Sequence, residues 1–358
     1  IEVPRSYSKK NSNLKDLSQI NSVIKKKYIE NLKTNSKALE YLSSRNITNE
    51  LITKFEIGLA KDSWDDVTSI LKKENKIKDG LGIGLLVESK GKIYDRFRNR
   101  LMFPIHNISG KVIAFGARII SEQKNQPKYV NSPETPLFHK GRELYGLYEC
   151  QPALRDIQRI VVVEGYMDVI SLAQHGIDYA VASMGTATTD DHFNRLFRLT
   201  DYIYFCFDGD QAGLDAAWRA LKNALPHVRE GRQIKFVFLP EKDDPDTYVK
   251  KNSATAFEKE LDDGLDLSDF LIEKLAKDID MKSIDGRARL AEKTKPLINQ
   301  IPEGIFKELI LEKLSEAIGL STAKLNKLLV NQDYQLARNG RSRIISKLPK
   351  KKLKGGPS

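Results

Sequence analysis

The sequence predicts a multidomain α/β protein, with a mixed α/β N-terminal domain, a second domain on a central parallel sheet, and a helical C-terminal region. Three observations predict it. The apolar runs Ile160-Val-Val-Val163 and Tyr202-Ile-Tyr-Phe-Cys-Phe207 lack a helical period and end on Glu164 and Asp208, as strands buried on both faces of a parallel sheet do. Stretches long enough to be crossover helices lie between and after them. Beyond Asp263-Gly264 strand signals stop, and helical spacing runs on to Leu329.

Along the chain, residues 1 to about 80 carry helical spacing at Leu14, Ile20, Ile24, Tyr28 and Leu32. From Gly80 short strands follow. Leu101–His106, the turn Asn107-Ile-Ser-Gly110 and Lys111–Phe115 predict a hairpin. Residues 120–150, with Pro127, Pro133 and Pro136, are expected to be loop-like, completing a first domain over 1–152. In a second domain over 153–263, helices are expected at Asp168–His175, closed by Gly176, at Thr189–Leu199 and at Leu214–Leu225. Strands at Tyr179–Ala182 and Ile234–Leu239 complete a β-α-β-α-β-α-β order, one Rossmann-like unit. A helical bundle over 264–335, broken at Ile301-Pro-Glu-Gly304, and a basic linker or tail over 336–358 complete the layout.

In open parallel sheets ligands collect at the carboxyl ends of the strands, where Glu164, Asp208, Asp210, Asp244 and Asp246 fall. Carboxylates grouped there must take up protons or recruit cations. Hard oxygen donors with no His or Cys nearby favour Mg²⁺ or Mn²⁺. A lone Asp-x-Asp is commonly a loop or helix cap, but three acid-tipped strand ends in one unit point to a metal site. Asp208-Gly-Asp-Gln-Ala-Gly213 is not a calcium loop, because Ala212 and Arg219 stand where that loop needs oxygen ligands. No Gly-x-x-x-x-Gly-Lys-Ser/Thr occurs, so phosphates are to be held by metal and basic side chains.

Lys and Arg number 59 against 48 Asp and Glu, a net charge of +11 that suits a polyanionic partner without proving one. With only Cys150 and Cys206, a disulfide scaffold and a Cys-rich zinc site are excluded. Apolar runs are too short for a membrane span and the start resembles no signal peptide, so a cytoplasmic protein is expected. A chain starting at Ile1 rather than Met suggests a piece of a longer protein. In Tyr94-Asp-Arg-Phe-Arg-Asn-Arg100, period two predicts that Arg96, Arg98 and Arg100 share one face of an extended segment, where a phosphate backbone would relieve their repulsion. A solvated polar face is the alternative. Arg118, Lys128, Lys140 and Arg142 extend the basic character, and Tyr129 offers a base-stacking ring or an ordinary packed one.

Taken together, these segments resemble the RNA polymerase core of bacterial DnaG-type primases. The resemblance rests on Tyr94–Arg100, Pro127-Lys-Tyr-Val-Asn-Ser-Pro-Glu-Thr-Pro-Leu-Phe-His-Lys-Gly141, Val163-Glu-Gly-Tyr-Met-Asp168, Ala182-Ser-Met-Gly-Thr-Ala187, Asp208–Gly213 and Asp244-Pro-Asp-Thr247. The acidic unit is similar to the TOPRIM domain, which topoisomerases and some nucleases share. The resemblance implies RNA primer synthesis from ribonucleoside triphosphates on a single-stranded DNA template. It assigns catalysis and metal to Glu164, Asp208 and Asp210, with Asp168 and Asp246 as supporting metal acids. One ion would activate the primer 3′-hydroxyl and another would neutralise the triphosphate. Arg118, Lys128, Tyr129, Asn131 and Lys140 match nucleotide or nucleic-acid positions, and Arg96, Arg98 and Arg100 would line the template path. A DNA-breaking topoisomerase is disfavoured by Ala212, where Asp-x-Asp-x-Glu has its Glu, and an inert DNA-binding module by the acids. Zinc is expected only in a preceding module that this sequence lacks. The helicase-binding module is likewise expected to be missing, leaving contact with the replicative helicase to a segment outside this chain.

Overall fold

The computed structural model describes residues 5–120, 126–241 and 243–327. The predicted helical lead-in forms as helices Arg5–Lys33, Ser36–Ser44, Asn49–Lys54, Asp66–Lys73 and Ile77–Gly82. Ile20, Ile24, Tyr28 and Leu32 are buried along one stripe of the first, as their spacing requires. Asn35 and Thr48 cap the next two by accepting the N–H groups of Ala38 and Leu51.

In chain order the strands are β1 (Gly58–Ala60), the hairpin β2 (Leu86–Ser89) and β3 (Lys92–Asp95), β4 (Arg100–His106), β5 (Val112–Ile119) and β6 (Tyr129–Asn131). The order β1-β4-β5-β6 makes an antiparallel sheet, and the predicted hairpin is β4–β5. Two features were not expected from sequence. Gly58–Ala60 is too short to show a period yet pairs with Arg100–Met102, and Tyr129–Asn131 adds an edge strand within the loop-like stretch.

The second sheet contains β7 (Arg159–Val163), β8 (Ala180–Ala182), β9 (Tyr202–Phe207), β10 (Gln233–Phe238) and β11 (Leu265–Asp266), in the order β11-β10-β9-β7-β8. The predicted β-α-β-α-β-α-β order is present, with helices Tyr166–Gln174, Asp190–Leu196 and Gln211–Ala224 as crossovers. Strands β7 to β10 are parallel, and β11 adds an antiparallel edge, so strand structure extends past Asp263 for two residues beyond expectation. A two-residue strand carries no sequence period.

The chain divides into two compact units. One holds both sheets, up to Ala224 and again over Gly231–Leu267. Its largest core joins Leu101, Phe103 and Tyr145 to Val161, Tyr166 and Cys206, so the two sheets share one apolar interior. The second unit takes in Leu225–Glu230 and the chain from Ser268, with helices Ile284–Ile298 and Ile305–Ile318. The basic tail over 336–358 and the end of the predicted bundle lie outside the described residues.

One buried ion network braces the first unit. His106 Nδ1 lies 2.6 Å from Glu149 Oε1 and Nε2 lies 2.9 Å from Glu56 Oε2, while Lys25 Nζ reaches Glu56 at 2.5 Å. Burial opposes charge on His106, but hydrogen bonds to Glu149 and Glu56 outweigh it and raise its pKa to about 9. The hydrogen bond from His106 pulls Glu56 down to about 2 against its own desolvation. His106 therefore contributes stability that is full below its unfolded pKa and lost as pH rises through about 9. Glu56 contributes stability that is full above its unfolded pKa and lost as pH falls through about 2. Replacing His106 by Leu strands Glu149, whose side chain is 6% exposed, and is expected to cost about 3–5 kcal/mol at pH 6. Urea denaturation at pH 6 and pH 9.5 tests it, since the penalty should shrink at the higher pH.

Candidate active site

Strand order places the site. β8 lies to one side of β7 and β9 to the other, so the switch point falls between β7 and β9. Their register pairs Val162 with Phe205, bringing Glu164 and Asp208 to neighbouring strand ends. The apolar residues beneath, Ile160–Val163 and Ile203–Phe207, are all buried and fix the height of both acids.

The remaining acids are set by helix starts. Asp168 lies in the first turn of Tyr166–Gln174 and accepts the Gly165 N–H at 3.0 Å. Asp210 accepts the Gly213 N–H at 2.8 Å, and Asp244 caps helix Pro245–Lys251 by accepting the Thr247 N–H at 2.7 Å. Desolvation, then repulsion by Glu164, Asp244 and Asp210, pushes Asp208 up to about 6. Glu164 is raised by desolvation and by Asp210, with Arg219 opposing. Asp168 keeps some exposed surface yet lies deep enough that desolvation, followed by Asp244 and Asp208, drives it well upward.

Among the described residues, no three His, Cys, Asp or Glu side chains converge into a ready-made metal cage. The donor chemistry nonetheless fits a hard divalent cation, because mutually repelling carboxylates without a His or Cys among them are what such an ion relieves. The expected ligand set is narrowed by Asp246. It is 5% exposed and already ion-paired, with Arg45 3.5 Å from one oxygen and Lys250 2.6 Å from the other. The Lys250 approach is off the hydrogen-bonding direction, so Asp246 Oδ1 keeps no directed hydrogen bond.

The basic residues separate into two groups. Arg118 on β5 is 4% exposed, lies 5.1 Å and 5.6 Å from the Tyr41 and Tyr129 ring centroids, and leaves Nε and one terminal nitrogen without a hydrogen-bond partner. A buried guanidinium in that state is prepared for an anion. Lys128 is exposed beside Tyr129, and Asn131 donates to the Met184 carbonyl at 3.2 Å. The loop bearing Lys140 is held by His192, whose Nε2 donates to the Lys140 and Glu143 carbonyls at 2.9 Å and 3.1 Å.

Tyr166 joins the antiparallel sheet to the acids. Its hydroxyl donates to Asn131 Oδ1, its ring stacks on Phe103 at 5.5 Å, and Gly116 on β5 makes room for it. A Cβ at Gly116 would lie 2.4 Å from the Tyr166 ring.

The shared face predicted for Arg96, Arg98 and Arg100 does not exist. β3 ends at Asp95, the chain bends through Asn99 at φ +50°, and Phe97 turns into the core. Arg96 is spent on the Gly84 carbonyl, and buried Arg100 donates to the Pro127 and Lys128 carbonyls, so both brace loops. Arg98 alone joins an exposed feature, with its guanidinium carbon 3.4 Å from the centre of the Trp64 ring, which is 61% exposed. Sequence reasoning missed Trp64 and Arg45. Each meets its partner only through the fold, although the lone Trp in a polar turn was a signal for the first.

Residues 27–151 match the family described as the DNA primase catalytic core, N-terminal domain, and 161–249 match one described as Toprim-like. The chain is 44% identical to a solved structure described as the E. coli primase catalytic core, covering 85% of this chain and 98% of that one with a TM-score of 0.82. The chain belongs to the bacterial DnaG primase family. A second DnaG structure, described as the catalytic domain bound to ssDNA, is 42% identical with a TM-score of 0.83, covering 88% of this chain and 99% of that one. The curated DNA primase of Escherichia coli K12 is 45% identical over 314 residues, 87% of this chain and 53% of the relative, so the chain spans about half that relative's length.

Residues 268–323 match the family described as the DnaB-helicase binding domain of primase. This overturns the expectation that a helicase-binding module is missing. Helical spacing marks those residues as a bundle, but a protein-docking bundle needs no acid, metal or phosphate motif that sequence chemistry would reveal. No helix among the described residues is long and apolar enough to cross a membrane.

The strained acids yield a prediction. Folded Asp208 binds its proton more tightly than the unfolded chain, so in chelator its contribution to stability is lost as pH rises through about 6. Asp208→Asn should therefore stabilise the metal-free protein at pH 7.5 by about 1–2 kcal/mol after solvent screening, with little effect at pH 4. Calorimetry in EDTA would refute this if the variant melted at or below the wild type at pH 7.5.

Proposed function

We propose that this chain synthesises short RNA primers from ribonucleoside triphosphates on a single-stranded DNA template. The observation that carries the proposal is the union, in one compact unit, of the acid-tipped β7–β9 switch point with a basic sheet tied to it through Tyr166 and Asn131. The solved relative described as bound to ssDNA supports the template assignment. A core domain over 1–152, a metal-binding domain over 153–263 and a helical region over 264–335 are part of the proposal. So is contact between the helical region and the replicative helicase, supported by the match over 268–323.

Glu164, Asp208 and Asp210 are the residues proposed to hold Mg²⁺ or Mn²⁺, with Asp168 and Asp246 supporting. Such ions, when bound, supply charge neutralisation for the attacking hydroxyl and the departing pyrophosphate. Arg118, Lys128, Asn131 and Lys140, with Arg45, receive the triphosphate and the primer end. The unpartnered nitrogens of Arg118 bind phosphate oxygens that the folded chain cannot replace. Tyr129, 38% exposed, offers a ring face to a base. Arg98 and Trp64 form a template platform, the indole stacking on a base and the guanidinium pairing with phosphate. No protein acid–base group is required. Positioning and charge compensation dominate, as in other phosphoryl transfers.

Incubation with single-stranded DNA, ribonucleoside triphosphates and Mg²⁺ or Mn²⁺ should give short template-dependent RNA. Asp208→Ala should reduce it by about 10²-fold or more, as loss of a main charge-stabilising group does. DNA nicking or a covalent DNA adduct in place of RNA would reject the reading. Template binding separates the platform residues. Trp64→Ala should weaken it by about 5- to 100-fold, the loss of one stacked base, without altering its salt dependence. Arg98→Ala should lower the slope of log affinity against log salt by about 0.7. Equal slopes for wild type and Arg98→Ala would remove Arg98 from the template path.

A further inference from the structure

We infer that the replicative helicase docks in the groove along the first half of helix Ile305–Ile318. This rests on the helicase-binding role proposed above for the helical region, and it assigns that role to particular residues. The groove, about 610 Å³, is lined by Gly304, Ile305, Glu308, Leu309, Glu312 and Thr322. The helix already has its core face, because Ile310, Leu311, Leu314 and Ile318 are buried. Ile305 and Leu309, one turn apart, form a second apolar stripe that the fold leaves 66% and 57% exposed, with Leu320 nearby in sequence at 39%.

The groove is fixed without being filled. The Ile305 N–H donates to Glu230 Oε1 at 2.7 Å, anchoring the helix start, and Lys313 pairs with Asp269. Glu308 and Glu312, also one turn apart, supply acidic side chains beside the apolar stripe, and among the described residues neither is in a salt bridge. Apolar side chains with acidic neighbours fit a partner segment that presents two aliphatic residues one turn apart flanked by Lys or Arg. All of these residues fall within or beside the 268–323 match to a helicase-binding domain, which selects the helicase over other basic partners.

The whole chain is titrated with the replicative helicase of its own organism at physiological salt. Leu309→Asp and Ile305→Ser should each weaken binding at least tenfold. The double variant Glu308→Lys with Glu312→Lys should slow association and flatten its salt dependence. Helicase-independent primer synthesis and the melting temperature should stay unchanged, since the substituted side chains are exposed. Should Leu309→Asp fail to fold, the charge-reversed double variant still decides the question. Wild-type affinity in all variants would overturn this surface while leaving the helicase reading intact. Failure of the unsubstituted chain to bind helicase would overturn both. Loss of self-association in the variants, seen by sedimentation, would assign the groove to a second copy and overturn the helicase assignment.

Discussion

The first unit depends on one close approach, that of the Tyr166 ring to Gly116. Tyr166 follows Glu164 by two residues, so whatever fixes its ring also fixes the acid at the tip of β7. Phe103 and Tyr145 pack against the ring, Asn131 accepts from its hydroxyl, and Asn131 in turn holds the Met184 carbonyl beyond β8. Any side chain at Gly116 would push the ring away. The interior shared by the two sheets would open with it.

Charge is arranged so that the folded chain leaves both signs unsatisfied. Asp208 and Glu164 are raised by neighbours of their own sign, while Arg118 is buried without partners for two of its nitrogens. Arg45 and Asp246 are the exception, because they are paired. Nothing in folding rewards the first arrangement. A polyanion with a divalent cation satisfies both halves, so the stability given up here is recovered on binding.

How far the sequence revealed this depended on range. Buried parallel strands write themselves as continuous apolar runs, so β7, β9, β10 and the acids at their ends were readable from neighbouring residues alone. The hairpin β4–β5 was readable for the same reason, its turn ending at Gly110 with φ +77°. Arg96 and Arg100 were misplaced because alternation presumes an extended chain. The bend at Asn99 and the carbonyls of Gly84, Pro127 and Lys128 that absorb the two guanidiniums are set by tertiary packing. Trp64 meets Arg98 across 34 positions of sequence, and Arg45 meets Asp246 across 201, distances that no local period encodes. The helical region was recognised as helical, but the exposed Ile305 and Leu309 look like core residues until the bundle shows which face is spent.

The common interior of the two sheets has a kinetic consequence. A polymerase must advance its strands by one nucleotide after each addition, and many machines do so by swinging one body against another. Here the basic sheet and the acid tips are one body, joined through Tyr166. In the proposed reaction the jaw stays shut to its own geometry, and each step forward is taken by the nucleic acid sliding over it.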